Sequence, residues 1–303
     1  MSFNAKILLF GEYAVLYQSD ALLIPFEKFS GKLDFIDKHS NNLQQQIQSN
    51  KLLHQLSLYL EKAKMDSRLF YSFNLTQLKT DIKHGLFFNS KIPEGYGIGS
   101  SGALVAAIFS KYSEKRQKGA VKDQWIILKD QLALIESFFH GKSSGLDPLV
   151  SFLDQRLLVQ GNNIQPVNPD LSSFYPFLID TSKTRTTQEY VQLFRHKCKM
   201  PTYEKNIKTR LLDLNNRCIH SLLQGDHPTF CSTLKQLSLF QYEAFEEMII
   251  PEFKSIWKQG IDSDTYYLKL CGAGGGGYLL GFSRNKSQLD QLHKDTSLTI
   301  IRL

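Results

Sequence analysis

Between residues 51 and 63 the apolar side chains Leu52, Leu53, Leu56, Tyr59 and Leu60 return at helical spacing, which predicts an amphipathic helix. An apolar, alanine-rich run predicts a second helix over 103–115. A third is expected over 123–139, closed by Gly141 as its C-cap, and a fourth from Pro148 to Leu153. Strand-like segments fall at 5–17 (a strand and turn), 31–37, 69–74 and 177–180. Residues 266–270 and 278–282 read as a strand pair flanking a glycine run. Further helices are expected over 204–223 and 228–248. Strands and helices mixed in this way indicate α+β rather than a regular βα alternation. The polar, Asn- and Pro-containing stretch Gly161–Pro169 is the expected boundary, dividing the chain into 1–165 and 166–303. The polar run Ser40–Asn50 is the one candidate for disorder.

The stretch 93–108 changes this picture from fold to chemistry. Gly97, Gly99 and Gly102 surround Ser100 and Ser101, and an apolar helix follows at once. A glycine loop opening into a helix aims several free backbone N–H groups and the positive end of the helix dipole at one spot, which suits phosphate. Two regions match G-x-G-x-x-G, at 97–102 and at 272–277. A dinucleotide site needs a buried strand before the glycines and about 30 residues of βαβ unit after them. Only 26 residues follow Gly277, and Pro93 and Glu94 precede the first loop. No Lys follows the last glycine of either loop, so the Walker pattern fails as well.

Composition narrows the classes further. A hydrophobic content of 42%, with 21 Phe and 13 Tyr among 303 residues, is ample for a buried core in one large or two ordinary domains. The net charge of +7 is scattered, without a basic tail or aromatic–basic stripe, which argues against nucleic acid as the partner. The longest N-terminal apolar run, Ile7–Phe10, is too short for a signal peptide, and no run approaches the roughly 20 residues of a membrane span. Four widely spaced cysteines without a C-x-x-C pair fit a reduced, cytoplasmic protein with no structural zinc.

The stretch 93–108 resembles the second motif of the GHMP kinases (galactokinase, homoserine kinase, mevalonate kinase, phosphomevalonate kinase), usually Pro-x-x-x-Gly-Leu-Gly-Ser-Ser-Ala. Ile98 stands for the usual Leu and Gly102 for the usual Ala. Residues 5–17 are similar to the family's first motif and 269–277 to its third, in the family's order. The resemblance implies a ribosomal-S5-domain-2-like N-terminal domain and a ferredoxin-like C-terminal domain. It implies ATP and Mg2+ as cofactors, with Pro93, Gly97, Gly99, Ser100, Ser101 and Gly102 around the nucleotide phosphates. The partner it implies is a small molecule bearing a hydroxyl and a carboxylate, acted on by a monomer or homodimer.

His140-Gly-Lys-Ser-Ser-Gly-Leu-Asp147 resembles the mevalonate kinase signature, whose Asp is the proposed general base. On residue type alone, Asp147 before Pro148 also reads as a helix N-cap. Glu136 sits where the helix dipole disfavours a carboxylate, between apolar neighbours, and reads either as a solvated side chain or as a metal ligand. The resemblance favours the metal, because a magnesium-holding Glu lies eleven residues before the Asp in those kinases, as Glu136 lies before Asp147. Lys6 is either an exposed lysine or the cation beside the base. Ser101 is either a helix cap or a second metal ligand. Glu12 matches the family's Gly-Glu-His, while Tyr13 replaces its His; both are possible substrate contacts, as are Arg185 and Thr187. Gly272, Gly274, Gly275 and Gly276 are expected to permit close backbone packing rather than to bind ligand. His140 reads as an ordinary C-terminal helix cation. The implied reaction is phosphorylation of a hydroxyl, with mevalonate the favoured acceptor. Phosphomevalonate or another acceptor of the family, and a non-catalytic regulatory homologue, stay open.

Overall fold

The computed structural model describes residues 1–69, 71–114, 124–184, 187–296 and 298–303. Contacts divide the chain into two units, each assembled from separate stretches. The first unit holds 1–6, 25–93 and 98–155, and the second 7–24, 94–97 and 156–303. The sequence suggested a single cut near residue 165. The stretch 161–169 instead carries a hairpin turn at Gly161–Asn162 and a strand.

The first unit takes residues 2–6 of strand β1 (Ser2–Phe10) and 25–35 of β2 (Ala21–Phe35), and the rest of both strands belongs to the second. Helices α1 (Leu43–Met65) and α2 (Leu75–Lys83) follow, then β3 (Leu86–Ser90). It ends with α3 (Ser100–Tyr112), α4 (Trp125–His140) and α5 (Leu146–Leu153). β2 and β3 pair antiparallel from Gly31↔Ser90 to Phe35↔Leu86. α1 starts eight residues before its apolar period, inside the polar run expected to be irregular. The polar side chains there are used: Asn50 Nδ2 donates to the carbonyls of Ile82 and Leu86, and Gln46 accepts from the Asp37 amide. Residues 69–74, expected as a strand, contribute a single bridge from Phe73 to Ser113, with Phe70 outside the described residues. α3 is buried almost all round, from Gly102 to Phe109, as an alanine-rich helix hydrophobic on every face should be.

The second unit holds β4 (Leu157–Gln160), β5 (Asn163–Pro166) and β6 (Tyr175–Asp180), followed by α6 (Thr187–Lys197) and α7 (Pro201–Asn206). A π-helical turn, Ile207–Leu211, leads from α7 into α8 (Leu212–Gln224), so the helix expected over 204–223 is interrupted once. Then come α9 (His227–Ala244), α10 (Pro251–Ser263), β7 (Tyr266–Leu270), β8 (Tyr278–Ser283), α11 (Lys286–Asp295) and β9 (Ile300–Arg302). Four strands form an antiparallel sheet in the order β7-β8-β6-β9. Its core is aromatic: Phe10, Phe230 and Phe282 stack or meet edge to face at 5.6–5.9 Å. Each such fully buried side chain contributes about 1.5–3 kcal/mol. No helix among the described residues is long and apolar enough to cross a membrane.

Candidate active site

Three helix ends of the first unit converge on a small set of polar side chains. α3 begins at Ser100 with Gly99 as its N-cap, in the left-handed conformation (φ 81°). A side chain at Gly99 would be strained there and would press on Lys6, whose Cγ lies 3.0 Å from the place a Cβ would take. Neither serine caps the helix. By helix geometry the amides of Ser100, Ser101 and Gly102 have no intrahelical acceptor, as the phosphate-cradle expectation requires. β1 is tied to this loop by the Lys6 amide, which donates to the Ile98 carbonyl at 2.9 Å. Of the other loop residues expected to serve phosphate, Pro93 is half-buried in the first unit, and Gly97 (φ 73°) belongs to the second.

Asp147 is not a cap either. α5 starts one residue before it, with Gly145 as N-cap, so Asp147 lies in the first turn. There the helix dipole favours a negative charge. Its Oδ2 is 3.0 Å from Lys6 Nζ, and the two side chains differ in access: Lys6 is 6% exposed, Asp147 33%. The exposed-lysine reading of Lys6 therefore falls. Gly102 allows this closeness, since a Cβ on it would meet the Asp147 and Pro148 backbones at 2.9 Å.

Glu136, one turn before the end of α4, is buried (4% exposed), so it is not a solvated surface side chain. Ser101 Oγ donates to its Oε1 at 3.0 Å, and Ser143 Oγ donates to its Oε2. Burial, and secondly the charge of Asp147, push its carboxyl up to about 7, against the lowering effect of the two serine hydroxyls and of Lys6. A buried carboxylate beside a second one, with serine hydroxyl oxygens at hand, has the chemistry of a hard divalent cation site. Two partners were missed in the sequence. Ser143, whose Oγ also accepts the Gly145 amide at 2.9 Å, was not singled out. His140 was taken as a helix-end cation, yet its Nε2 lies 3.1 Å from Ser101 Oγ. The available signal was its position four residues after Glu136, on the same helix face.

The remaining candidates lie in the second unit or outside the described residues. Glu12 pairs with Lys269 at 2.6 Å, with the two side chains 1% and 0% exposed. Burial raises its carboxyl above the usual range, while Lys269 and the Gly272 amide draw it down. Tyr13 is also buried, at a positive φ of 61°, stacked on Phe194 at 4.5 Å, and its hydroxyl donates to the Ala273 carbonyl at 2.6 Å. The polar atoms of both residues are thus turned to the glycine run. In that run Gly272, Gly274, Gly275 and Gly276 all have positive φ. A Cβ at Gly274 would come within 2.6 Å of the Met248 carbonyl, and one at Gly275 within 1.9 Å of the Tyr190 ring. Gly277 packs against the Tyr96 backbone, in the segment leading to the first loop. Thr187 is exposed at the start of α6, and Arg185 lies outside the described residues.

Comparison with known proteins bears on the family and the fold. Residues 56–155 match the family defined as GHMP kinases N terminal domain. The chain is 25% identical over 304 residues to the mevalonate kinase of Pyrococcus horikoshii, covering 94% of this chain and 88% of that one. Among solved structures, L. major mevalonate kinase in complex with R-mevalonate is similar at a TM-score of 0.68 and 18% identity, covering 99% of this chain and 94% of that chain. Streptococcus pneumoniae phosphomevalonate kinase, with phosphomevalonate and AMPPNP, is similar at a TM-score of 0.65 and 16% identity, covering 100% and 99%.

Proposed function

We propose that this chain, a member of the GHMP kinases by its N-terminal domain, fold and relatives, transfers a phosphoryl group from ATP to the hydroxyl of mevalonate. The observation that carries the mechanism is the Lys6–Asp147 pair: a reachable carboxylate held by a buried cation at 3.0 Å. Asp147, in the first turn of α5, accepts the proton of the acceptor hydroxyl as its oxygen attacks. Lys6 holds the Asp147 carboxylate in place at 3.0 Å and stabilises the charge that develops on that oxygen. The free amides and positive dipole of α3 take the ATP phosphates. Positioning and charge stabilisation of this kind supply most of the catalysis in phosphoryl transfer.

Glu136 and Ser101 are the residues that would hold magnesium, which when bound neutralises charge on the phosphates. Among the described residues no cluster of three His, Cys, Asp or Glu forms a metal site, so phosphate and water oxygens would complete the set. The four free cysteines support a cytoplasmic, reducing location.

The choice of acceptor rests on the mevalonate kinase relatives. The phosphomevalonate kinase likeness, with nearly the same TM-score, favours phosphomevalonate as the second reading. A coupled ADP-release assay over mevalonate, phosphomevalonate, galactose and homoserine separates them, with turnover expected on mevalonate. Turnover on another acceptor alone would overturn the substrate. ATP binding without transfer to any acceptor would point to a regulatory protein instead.

A further inference from the structure

Ser101 Oγ has two close partners, Glu136 Oε1 at 3.0 Å and His140 Nε2 at 3.1 Å, but only one proton to donate. When that proton points at Glu136, His140 Nε2 must be the donor to the serine oxygen. When it points at His140, Nε2 must be the bare nitrogen of the ring, and Glu136 Oε1 is released. The other carboxylate oxygen has no such freedom. Ser143 Oγ accepts the Gly145 amide at 2.9 Å and gives its own proton to Glu136 Oε2. Glu136 Oε1 is therefore the oxygen open to a cation, and the Ser101 proton is what stands in its way.

We propose that His140 is a positioning residue of the magnesium site: its Nε2 accepts the Ser101 hydroxyl, so that Ser101 Oγ and Glu136 Oε1 turn lone pairs to the cation together. This rests on the assignment of Glu136 and Ser101 as the residues that hold the metal. The placement has a local cause. His140 ends α4 four residues after Glu136, which puts both side chains on the face met by the first turn of α3. A histidine that only complemented the helix dipole would need no contact between Nε2 and Ser101.

The test is titration of Mn2+ into the protein saturated with a non-hydrolysable ATP analogue, with free Mn2+ read by electron paramagnetic resonance. His140→Phe, which cannot accept a hydrogen bond, is expected to weaken Mn2+ binding about 10–100-fold, as loss of an outer partner of a metal ligand does. His140→Ala repeats the loss without the added ring. His140→Gln, whose amide oxygen can accept, is expected to stay within about three-fold of the native protein. Denaturant midpoints of the three variants without metal are expected to match the native one, since the side chain is exposed. Native-like Mn2+ affinity in the Phe and Ala variants overturns the proposal, as does equal loss in Gln and Phe. A native protein that binds the nucleotide analogue yet takes up no Mn2+ removes the metal assignment itself, and the proposal with it.

Discussion

Each unit of this protein contains a lysine–carboxylate pair of ordinary length, and the two pairs differ in their access to water. In the second unit Lys269 and Glu12 meet at 2.6 Å with essentially no exposure. Lys269 also donates to the Leu270 carbonyl and lies 5.4 Å over the Phe10 ring, while the Gly272 amide supports Glu12. Every polar atom there is answered by protein, so the pair can hold the 272–277 run in shape but can meet no substrate. In the first unit Lys6 is also buried, yet a third of the Asp147 side chain is open. Beside that open pair stands Glu136, a carboxylate whose ionisation is opposed by burial and by Asp147. Residue type and distance do not separate a structural ion pair from a reactive one. Access to water does, because a base must be reached by the proton it takes.

Substitutions can break this contrast at either pair. Asp147→Asn should lower kcat by about 10²–10⁴-fold, the usual contribution of a general base, while equilibrium binding of nucleotide stays near native. Turnover close to native in that variant would end the assignment of Asp147. Glu12→Gln or Lys269→Met alone should cost about 3–5 kcal/mol of unfolding free energy by leaving a buried charge unpaired. The double variant Glu12→Leu/Lys269→Met should recover most of it. Single variants within about 1 kcal/mol of native in urea denaturation would show that the pair is not sealed in solution.

Glu136 sharpens the comparison through pH. Its carboxyl is raised from 4.5 to about 7 in the folded protein. Below pH 4.5 it is protonated in both states. As pH rises from there to about 7 the unfolded chain ionises first, so metal-free stability falls, by on the order of 3 kcal/mol. Glu136→Gln should remove that slope and be the more stable protein at pH 8. An unchanged pH dependence in denaturant midpoints would refute the burial argument. The smallest effect is expected from Tyr13→Phe, which deletes the hydrogen bond to Ala273 and should cost about 1 kcal/mol in thermal melts with turnover retained.

The glycine loop, the long amphipathic helix and the step from Glu136 to Asp147 were legible because each is written in a short run of chain. α3 and α5 could be placed from their apolar runs, and Gly141 closes α4 as its C-cap. The first half of β2 was not legible, since Pro25 and the polar residues after it interrupt any strand period. The helical start of α1 was hidden for the opposite reason: its polar side chains are satisfied by carbonyls and amides of distant segments, which local polarity cannot show. Asp147 and Ser101 both fit a capping pattern, and the alternative was removed only when Gly145 and Gly99 were found at the cap positions.

Local sequence was thus enough to name candidates: a candidate phosphate-binding loop, a candidate base and a candidate metal carboxylate, each set by neighbours a few residues away. The burial and the partners of each charged side chain were decided by packing. Glu12 and Lys269 are 257 positions apart, and nothing near either one says that they close on each other out of water. His140 and Ser101 meet through the packing of α4 on α3, 35–39 positions from Ser101 to its two partners. Burial sets the cost of a charge and its pKa, and burial is a sum over contacts from the whole chain.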